Sequence, residues 1–368
     1  SMKSSLFPCV ALLCSFVLTL SADQITLKNG DRVSGKIVTS DDKTVTLKTD
    51  FAGEIKIDRT LITGITTDAP LNVTLKDAAP VQAKISGPTD GLQLQTADGS
   101  ALTVKGESLV AIRDDASQKA FDREVERTKH PKFNDFWVGF VTLGVANSSG
   151  NSSTTSVSTA ASAVRDAGRN KLSINFAQIY ARQSTTIPVG ETANRMGGSV
   201  RIDRNLSKRI FIYGINAYEY DKFLDLNLRM IAGGGFGYHV WANKKGFFDA
   251  YGGGNWNRET YDITSKVKPA VYLTQTRNAG ELTLGEEFGY QPMSRLKLNE
   301  KLNFFPNMTN TGEYRMNFAA TASVPIWKWL EFNVGFSSSY QSNPPIGKVG
   351  NDTILSTGIR ASFDQTKR

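Results

Sequence analysis

Thiol and imidazole chemistry is almost missing from this chain. Its 368 residues include 2 Cys and 2 His. Both cysteines, Cys9 and Cys14, lie within the first twenty positions. If that segment is removed, no thiol, disulfide or cysteine metal site remains. Two histidines leave little room for His-based catalysis or a His-rich metal cluster, so no catalytic residue, metal site or cofactor is expected. Long apolar runs are also absent beyond Leu20. Nothing there approaches the ~20 consecutive apolar residues of a spanning helix. That excludes a helical membrane protein but not a β-barrel, whose strands are only half apolar. Acid is in deficit too, with 35 Asp+Glu against 43 Lys+Arg.

The first 22 residues read as an export address. Lys3 supplies a positive charge, Leu6 to Leu20 is almost continuously apolar, and Ser21-Ala22 offers small residues for cleavage before Asp23. That order is the pattern of a secretory signal peptide.

Residues 23–113 repeat themselves. Ile25-Thr26-Leu27-Lys28 recurs as Val73-Thr74-Leu75-Lys76, and Gly35-Lys36-Ile37 as Ala83-Lys84-Ile85, each 48 positions on. Short period-two strands are separated by turn signals such as Asn29-Gly30-Asp31 and Asp98-Gly99. The expectation is two tandem five-stranded units, each a small SH3-like or Sm-like barrel. Sm-like barrels often bind RNA. Here 11 basic residues against 12 acidic ones, few aromatics and the export segment argue for no nucleic-acid partner. A periplasmic spacer or docking module is the simpler reading, with cell wall or a periplasmic protein as its partner. Residues 114–134 follow as a charged linker in which Ser117–Arg127 forms a short helix ended by Pro131.

From Asp135 the texture changes to alternating apolar and polar residues rich in Gly and aromatics. Breaks in the pattern place strands near 135–146, 154–166, 170–184, 192–204, 209–220, 226–239, 247–260, 276–291, 294–305, 313–324, 330–341 and 351–363. Each is long enough for a barrel crossing of ~9–11 residues. Tight connections such as Ala167-Gly168-Arg169 and Asn205-Leu206-Ser207 alternate with longer ones such as 261–275 and 342–350. One parity of each clearer strand is greasy, as in Leu226/Leu228/Met230/Ala232/Phe236/Tyr238 and Leu330/Phe332/Val334/Phe336. Trp137, Trp241, Trp327 and Trp329 fall at the tight-turn ends, where an indole suits a membrane interface. The last strand closes on Phe363, and residues 364–368 form a short polar tail. The predicted class is all-β: a transmembrane antiparallel barrel of about twelve strands behind two small β-units. It would sit in the outer membrane, with the N-terminal domain in the periplasm.

The Asn29-Gly30-Asp31 to Gly35-Lys36-Ile37 opening, the charged linker into Phe136-Trp137-x-Gly139, and the Gly-rich strands from Gly233 carry a resemblance. They resemble an uncharacterised bacterial outer-membrane β-barrel family sometimes labelled salt-induced outer-membrane proteins. The resemblance implies a barrel over residues 135–363 and supplies no catalytic residues.

The parity opposite the greasy face should line the lumen. Its candidates are Arg195, Arg201 and Asp203; Arg229; Asp249 and Glu259; Arg277, Glu281 and Glu287; Lys297 and Lys301; Glu313 and Arg315; Glu331; and Arg360. At that density, opposite charges should pair, above all Glu287 with Lys297 and Lys301 across the 291–294 turn. A salt-bridged plug is therefore favoured over an open hole. Because residues 135–368 hold 26 basic and 18 acidic side chains, any conduction should favour anions. The expected function is a narrow, anion-favouring or plugged channel for small solutes, with a structural anchor as the alternative. Outer-membrane lipid is the expected surrounding. His239 lacks a Ser-rich neighbour and reads as an interfacial side chain. One conflict stands out: centring the 286–300 hairpin on Met293 sets Glu286 opposite Glu300, both outward. A bulge that turns one strand inward is the expected relief.

Overall fold

The computed structural model describes residues 22–76, 78–149, 154–183, 190–262 and 274–366. The segment expected to direct export and most of the 261–275 loop lie outside the described residues. Contacts divide the chain into two units that meet in sequence between His130 and Pro131.

The first unit is built from the two repeats. Repeat one supplies β1 (Asp23–Leu27), β2 (Arg32–Ser40), β3 (Thr44–Thr49), β4 (Gly53–Asp58) and β5 (Ile62–Thr66). Repeat two supplies β6 (Leu71–Leu75), β7 (Val81–Ser86), β8 (Leu92–Thr96), β9 (Ala101–Val104) and β10 (Leu109–Arg113). In each repeat four strands meander, and the fifth pairs back onto the first, β5 on β1 and β10 on β6. The repeats do not close separately. β10 also pairs with β2 at Arg113↔Thr39, and Ile65 and Thr67 donate backbone N–H groups to Gly87 and Ile85. Alternating residues of both repeats, including Ile25, Ile37, Leu47, Val73, Ile85 and Leu94, therefore form one buried core. Arg59 of the first repeat donates to the carbonyls of Leu109 and Gly106 in the second.

Helix α1 (Asp115–Lys129) follows, N-capped by Asp114, whose carboxylate accepts from the Ser117 N–H at 2.8 Å. It packs on this unit rather than standing free as a linker. Asn72 donates to Asp115 at 3.0 Å, and the Arg113 guanidinium lies 3.8 Å from the Phe121 ring centroid.

The second unit is a closed barrel of twelve antiparallel strands. They are β11 (Trp137–Ser149), β12 (Thr154–Asp166), β13 (Asn170–Gln183), β14 (Gly190–Asn205), β15 (Ile210–Asp221), β16 (Leu226–Asn243), β17 (Gly246–Asp262), β18 (Thr274–Met293), β19 (Leu296–Pro306), β20 (Tyr314–Pro325), β21 (Leu330–Gln341) and β22 (Asn351–Asp364). Each pairs with its sequence neighbour, and β22 closes on β11 from Val138↔Asp364 to Ser149↔Thr353. Closure removes every unpaired strand edge, which a non-aqueous solvent demands.

The outer wall is apolar, with Leu143, Val157, Phe236, Leu284, Phe332 and Leu355 all exposed. The inner parity holds Arg201, Arg229, Glu281 and Glu331, all under 9% exposed. This inverts a water-soluble barrel and matches a hydrocarbon surrounding.

The two ends of the barrel differ. Connections at one end are tight: 167–169, 206–209, 244–245, 294–295 and 326–329. Those five turns contain no Asp or Glu, yet each exposes Lys or Arg: Arg169; Lys208 and Arg209; Lys244 and Lys245; Arg295; Lys328. At the other end, two lysines meet carboxylates, Lys222 with Glu191 and Lys348 with Asp225.

Two details of register depart from expectation. A shift between Leu226 and Leu228 turns Leu226 inward, where it is buried with Leu224 and Tyr261. In the β18–β19 hairpin the turn is not centred on Met293, and a bulge between Tyr290 and Met293 adds one residue to β18; the strands beyond it pair two residues away from the expected register, giving Glu286↔Leu302 and Phe288↔Glu300. The two carboxylates are thus diagonal rather than opposed. Because the offset is even, neither strand turns over, and both acids keep the outward parity.

Candidate functional site: the charged lumen

Inward side chains from strands far apart in sequence meet across the lumen in two charged layers. The layer towards the longer connections centres on Arg229. Its guanidinium bonds Glu219 at 2.6 Å, Glu259 at 2.7 Å and, across the barrel on β21, Gln341 at 3.3 Å. Arg195 shares Glu219 at 2.7 Å and reaches Ser339 on β21 at 3.2 Å. Arg315 grips Glu281 with two bonds, at 3.0 and 2.6 Å. Asn257 links the two groups, donating to Glu259 and Glu281, both at 3.1 Å. Paired carboxylates and guanidinium forks of this kind satisfy one another where an isolated charge would be very costly.

The layer towards the tight turns centres on Arg201. It bonds Asp203 at 2.7 Å and, four strands away, Glu287 at 3.3 Å. The guanidinium also lies 4.6 and 4.4 Å from the ring centroids of Tyr213 and Tyr251, an arrangement that adds cation–π attraction. Lys301 bonds Glu287. Lys297 does not join it: placed nearer the turn, it reaches Glu331 on β21 at 2.5 Å instead.

Arg277 and Arg360 have no ion-pair partner within 4 Å among the described residues. Arg277 donates to the Asn343 carbonyl at 3.4 Å. Arg360 donates to Thr142 and Ser323, both at 3.1 Å, and stacks 3.8 Å over Phe140.

Between the layers lies a chamber of about 550 Å³. Phe140, Ile215, Ile231, Phe305 and Ile354 are among its apolar lining; Tyr213, Tyr251, Asn303, Asn317 and Ser339 supply polar atoms. Tyr251 donates to Asn303 at 2.7 Å, while the buried Tyr213 hydroxyl has no partner among the described residues. Size and lining are those of a small-molecule cavity.

Sequence reasoning placed thirteen of these charged side chains as lumen candidates but missed Glu219, both tyrosines and Asp221, which lies 3.5 Å from Arg195. The inner parity of β15 begins Phe211-x-Tyr213-x-Ile215-x-Ala217 and reads as a greasy face. Following that parity to Glu219, which faces Arg229 in register, would have revealed it.

His239 is held on both nitrogens, Nδ1 at 2.7 Å from Asp249 and Nε2 at 3.0 Å from Asn205, against the Phe211 ring. Neither nitrogen is left to act on a nucleophile. Among the described residues no group of three or more His, Cys, Asp or Glu could hold a metal ion.

Residues 141–363 match the family model described as Protein of unknown function, DUF481. The chain belongs to that family. The match carries no salt response. No curated protein matches the chain. Among solved structures, the NanC porin aligns at 7% identity and a TM-score of 0.40, covering 61% of this chain and 100% of that one. The translocator domain of the autotransporter NalP from Neisseria meningitidis aligns at 11% and 0.38, covering 67% and 97%. The KdgM porin in complex with disordered oligogalacturonate aligns at 12% and 0.33, covering 61% and 99%.

Proposed function

We propose that this protein is a non-enzymatic outer-membrane channel held occluded at rest, passing small polar or anionic solutes through its mid-barrel chamber. The observation that carries the reading is a chamber lying between two layers of side chains that bond across the lumen, Arg195 to Ser339 and Arg229 to Gln341 in one, Arg201 to Glu287 in the other. Passage requires these bonds to open. Lumen guanidinium groups mostly sit on carboxylates, so anion preference originates at the mouth carrying the basic turns. Planar-bilayer recording of the full chain tests this. The expected result is a small, intermittent, anion-preferring current; a bilayer that stays silent with both the native protein and a variant whose layer is broken refutes it.

A second reading, a structural anchor whose N-terminal unit tethers cell wall or a periplasmic partner, draws on the unpaired outer edges of β4 and β9 at the two ends of the first unit's sheet path. Such edges accept an added strand. Silence in the bilayer together with binding of cell-wall fragments by the full chain favours it.

A further inference from the structure

We propose that the tight-turn rim of the barrel is a binding surface for anionic phospholipid headgroups, a preference resting on the membrane-embedded reading above. Three independent features converge on this rim. First, its charge has one sign: all five turns expose Lys or Arg, none contains an acid, and none of these turn cations forms an ion pair among the described residues. Second, apolar side chains protrude beside those cations. Leu206, Met293, Ile326, Trp327 and Trp329 are each more than half exposed, so the turns are built to enter an interface rather than water. Third, four of the five tryptophans, Trp137, Trp241, Trp327 and Trp329, lie at this end, while Trp256 lies on the outer wall away from the turns.

An indole at glycerol depth with a lysine or arginine just above it complements a phosphodiester carrying net negative charge. The Arg209 guanidinium shows the geometry, reaching back to the Tyr238 hydroxyl at 3.0 Å and so staying at the edge of the aromatic belt. Turns of two to four residues cannot extend far from that belt. Their cations therefore meet headgroups in the adjacent leaflet, and a phospholipid presents its single phosphate at that depth.

The same arrangement predicts where lipid composition will matter. Neutral headgroups satisfy the indoles but leave the turn cations without counter-charge, whereas a phosphatidylglycerol surface supplies both. At the opposite mouth Lys222 and Lys348 already meet carboxylates, so these two cations gain little from anionic lipid.

Tryptophan quenching by brominated lipids reads this directly. The full chain is reconstituted in phosphatidylcholine vesicles containing either brominated phosphatidylglycerol or brominated phosphatidylcholine. The Trp256→Phe variant reports the rim, and its difference from the native protein reports the wall. At low salt the rim should favour phosphatidylglycerol roughly fivefold. That preference should vanish near ~1 M salt, where screening reaches ~3 Å. Replacing Lys208, Arg209, Lys244 and Lys245 by Gln should reduce it while leaving the Trp256 signal unchanged. Equal quenching of the rim by both lipids, with Trp256 quenched by both, overturns the rim proposal and leaves the membrane reading intact. Absence of quenching at Trp256 by either lipid overturns the membrane reading itself. Displacement of the brominated phosphatidylglycerol by lipid A more completely than by unlabelled phosphatidylglycerol overturns the phospholipid assignment.

Discussion

Removing Arg229 tests whether the charged layer holds the barrel together or merely fills it. The side chain is 4% exposed and ties β16 to Glu219 on β15, Glu259 on β17 and Gln341 on β21. Arg229→Ala leaves its two carboxylates in unequal positions. Glu219 keeps Arg195 at 2.7 Å. Glu259 keeps only neutral donors, Asn257 at 3.1 Å and Tyr261 at 2.9 Å. One buried carboxylate is thus stranded without a cation, which costs about 3–5 kcal/mol. Arg229→Met combined with Glu259→Gln removes both charges and should recover most of that loss, since a neutral side chain needs no counter-ion.

Urea titration in lipid vesicles, followed by tryptophan fluorescence and by the gel mobility of folded protein, gives the stabilities. Bilayer recording of the same variants gives the functional consequence. Arg229→Ala also cuts one of the two bonds from this layer to β21, so its current should exceed that of the native protein. Two results would refute the reasoning. Arg229→Ala could match the native protein within ~1 kcal/mol, or the double variant could be as unstable as the single one.

Other expectations follow from backbone contact, lipid exposure and capping. A Cβ at Gly253 would lie 2.2 Å from the Gly234 carbonyl oxygen, whereas one at Gly254 meets only the Glu281 oxygen at 3.9 Å. Gly253→Ala should therefore lose ~1–3 kcal/mol or fail to form the compact gel species, and Gly254→Ala should be tolerated. Glu300 faces outward between Phe288 and Ala320, so Glu300→Leu should stabilise the inserted barrel by about 1 kcal/mol in the same urea titration; weaker folding would mean that a partner contacts the acid. Burial raises the Asp114 carboxyl pKa, but the Ser117 amide and hydroxyl and nearby Lys36 outweigh it and hold the group below its ordinary value. A depressed folded pKa gives stability that is present above the unfolded pKa of ~3.9 and is lost as pH falls through the folded one. The protection factors of the Ser117–Asp122 amides, taken relative to the intrinsic exchange rate at each pH, should thus fall below about pH 4, and Asp114→Ala should cost ~1 kcal/mol of helix protection at neutral pH.

The barrel wall was legible because lipid imposes one rule on every strand: one parity must be apolar along its whole length. Strand count, alternating connection length and the tryptophan belt all express that rule locally, within windows of a few residues. The repeats were legible for the same reason, since Ile25 and Val73 occupy equivalent positions in equivalent patterns. What alternation cannot state is a partner. β5 and β10 read as the ends of self-contained units, yet each reaches into the other repeat through backbone groups, which are identical at every residue. Bulges are equally silent. The one at Tyr290/Met293 adds a single residue, and together with the turn's position it leaves the pairing two residues from a Met293-centred hairpin with parity unchanged, so Glu286 and Glu300 gave no sign of how their opposition is relieved.

Lumen pairs divide along the same line. Glu287 and Lys301 face one another in a single hairpin, and their pairing follows from turn position alone. Arg201 and Glu287 lie 86 residues apart, and they meet only because closure and strand tilt bring β14 opposite β18. Arg229 and Gln341 are separated by 112. A sequence specifies such contacts through the geometry of the closed tube rather than through any nearby pattern, so they must form late, after β22 has found β11. The bonds that cross the lumen thus belong to the completed barrel. On the channel proposal, their loss would open the chamber without undoing the hairpins that build its wall.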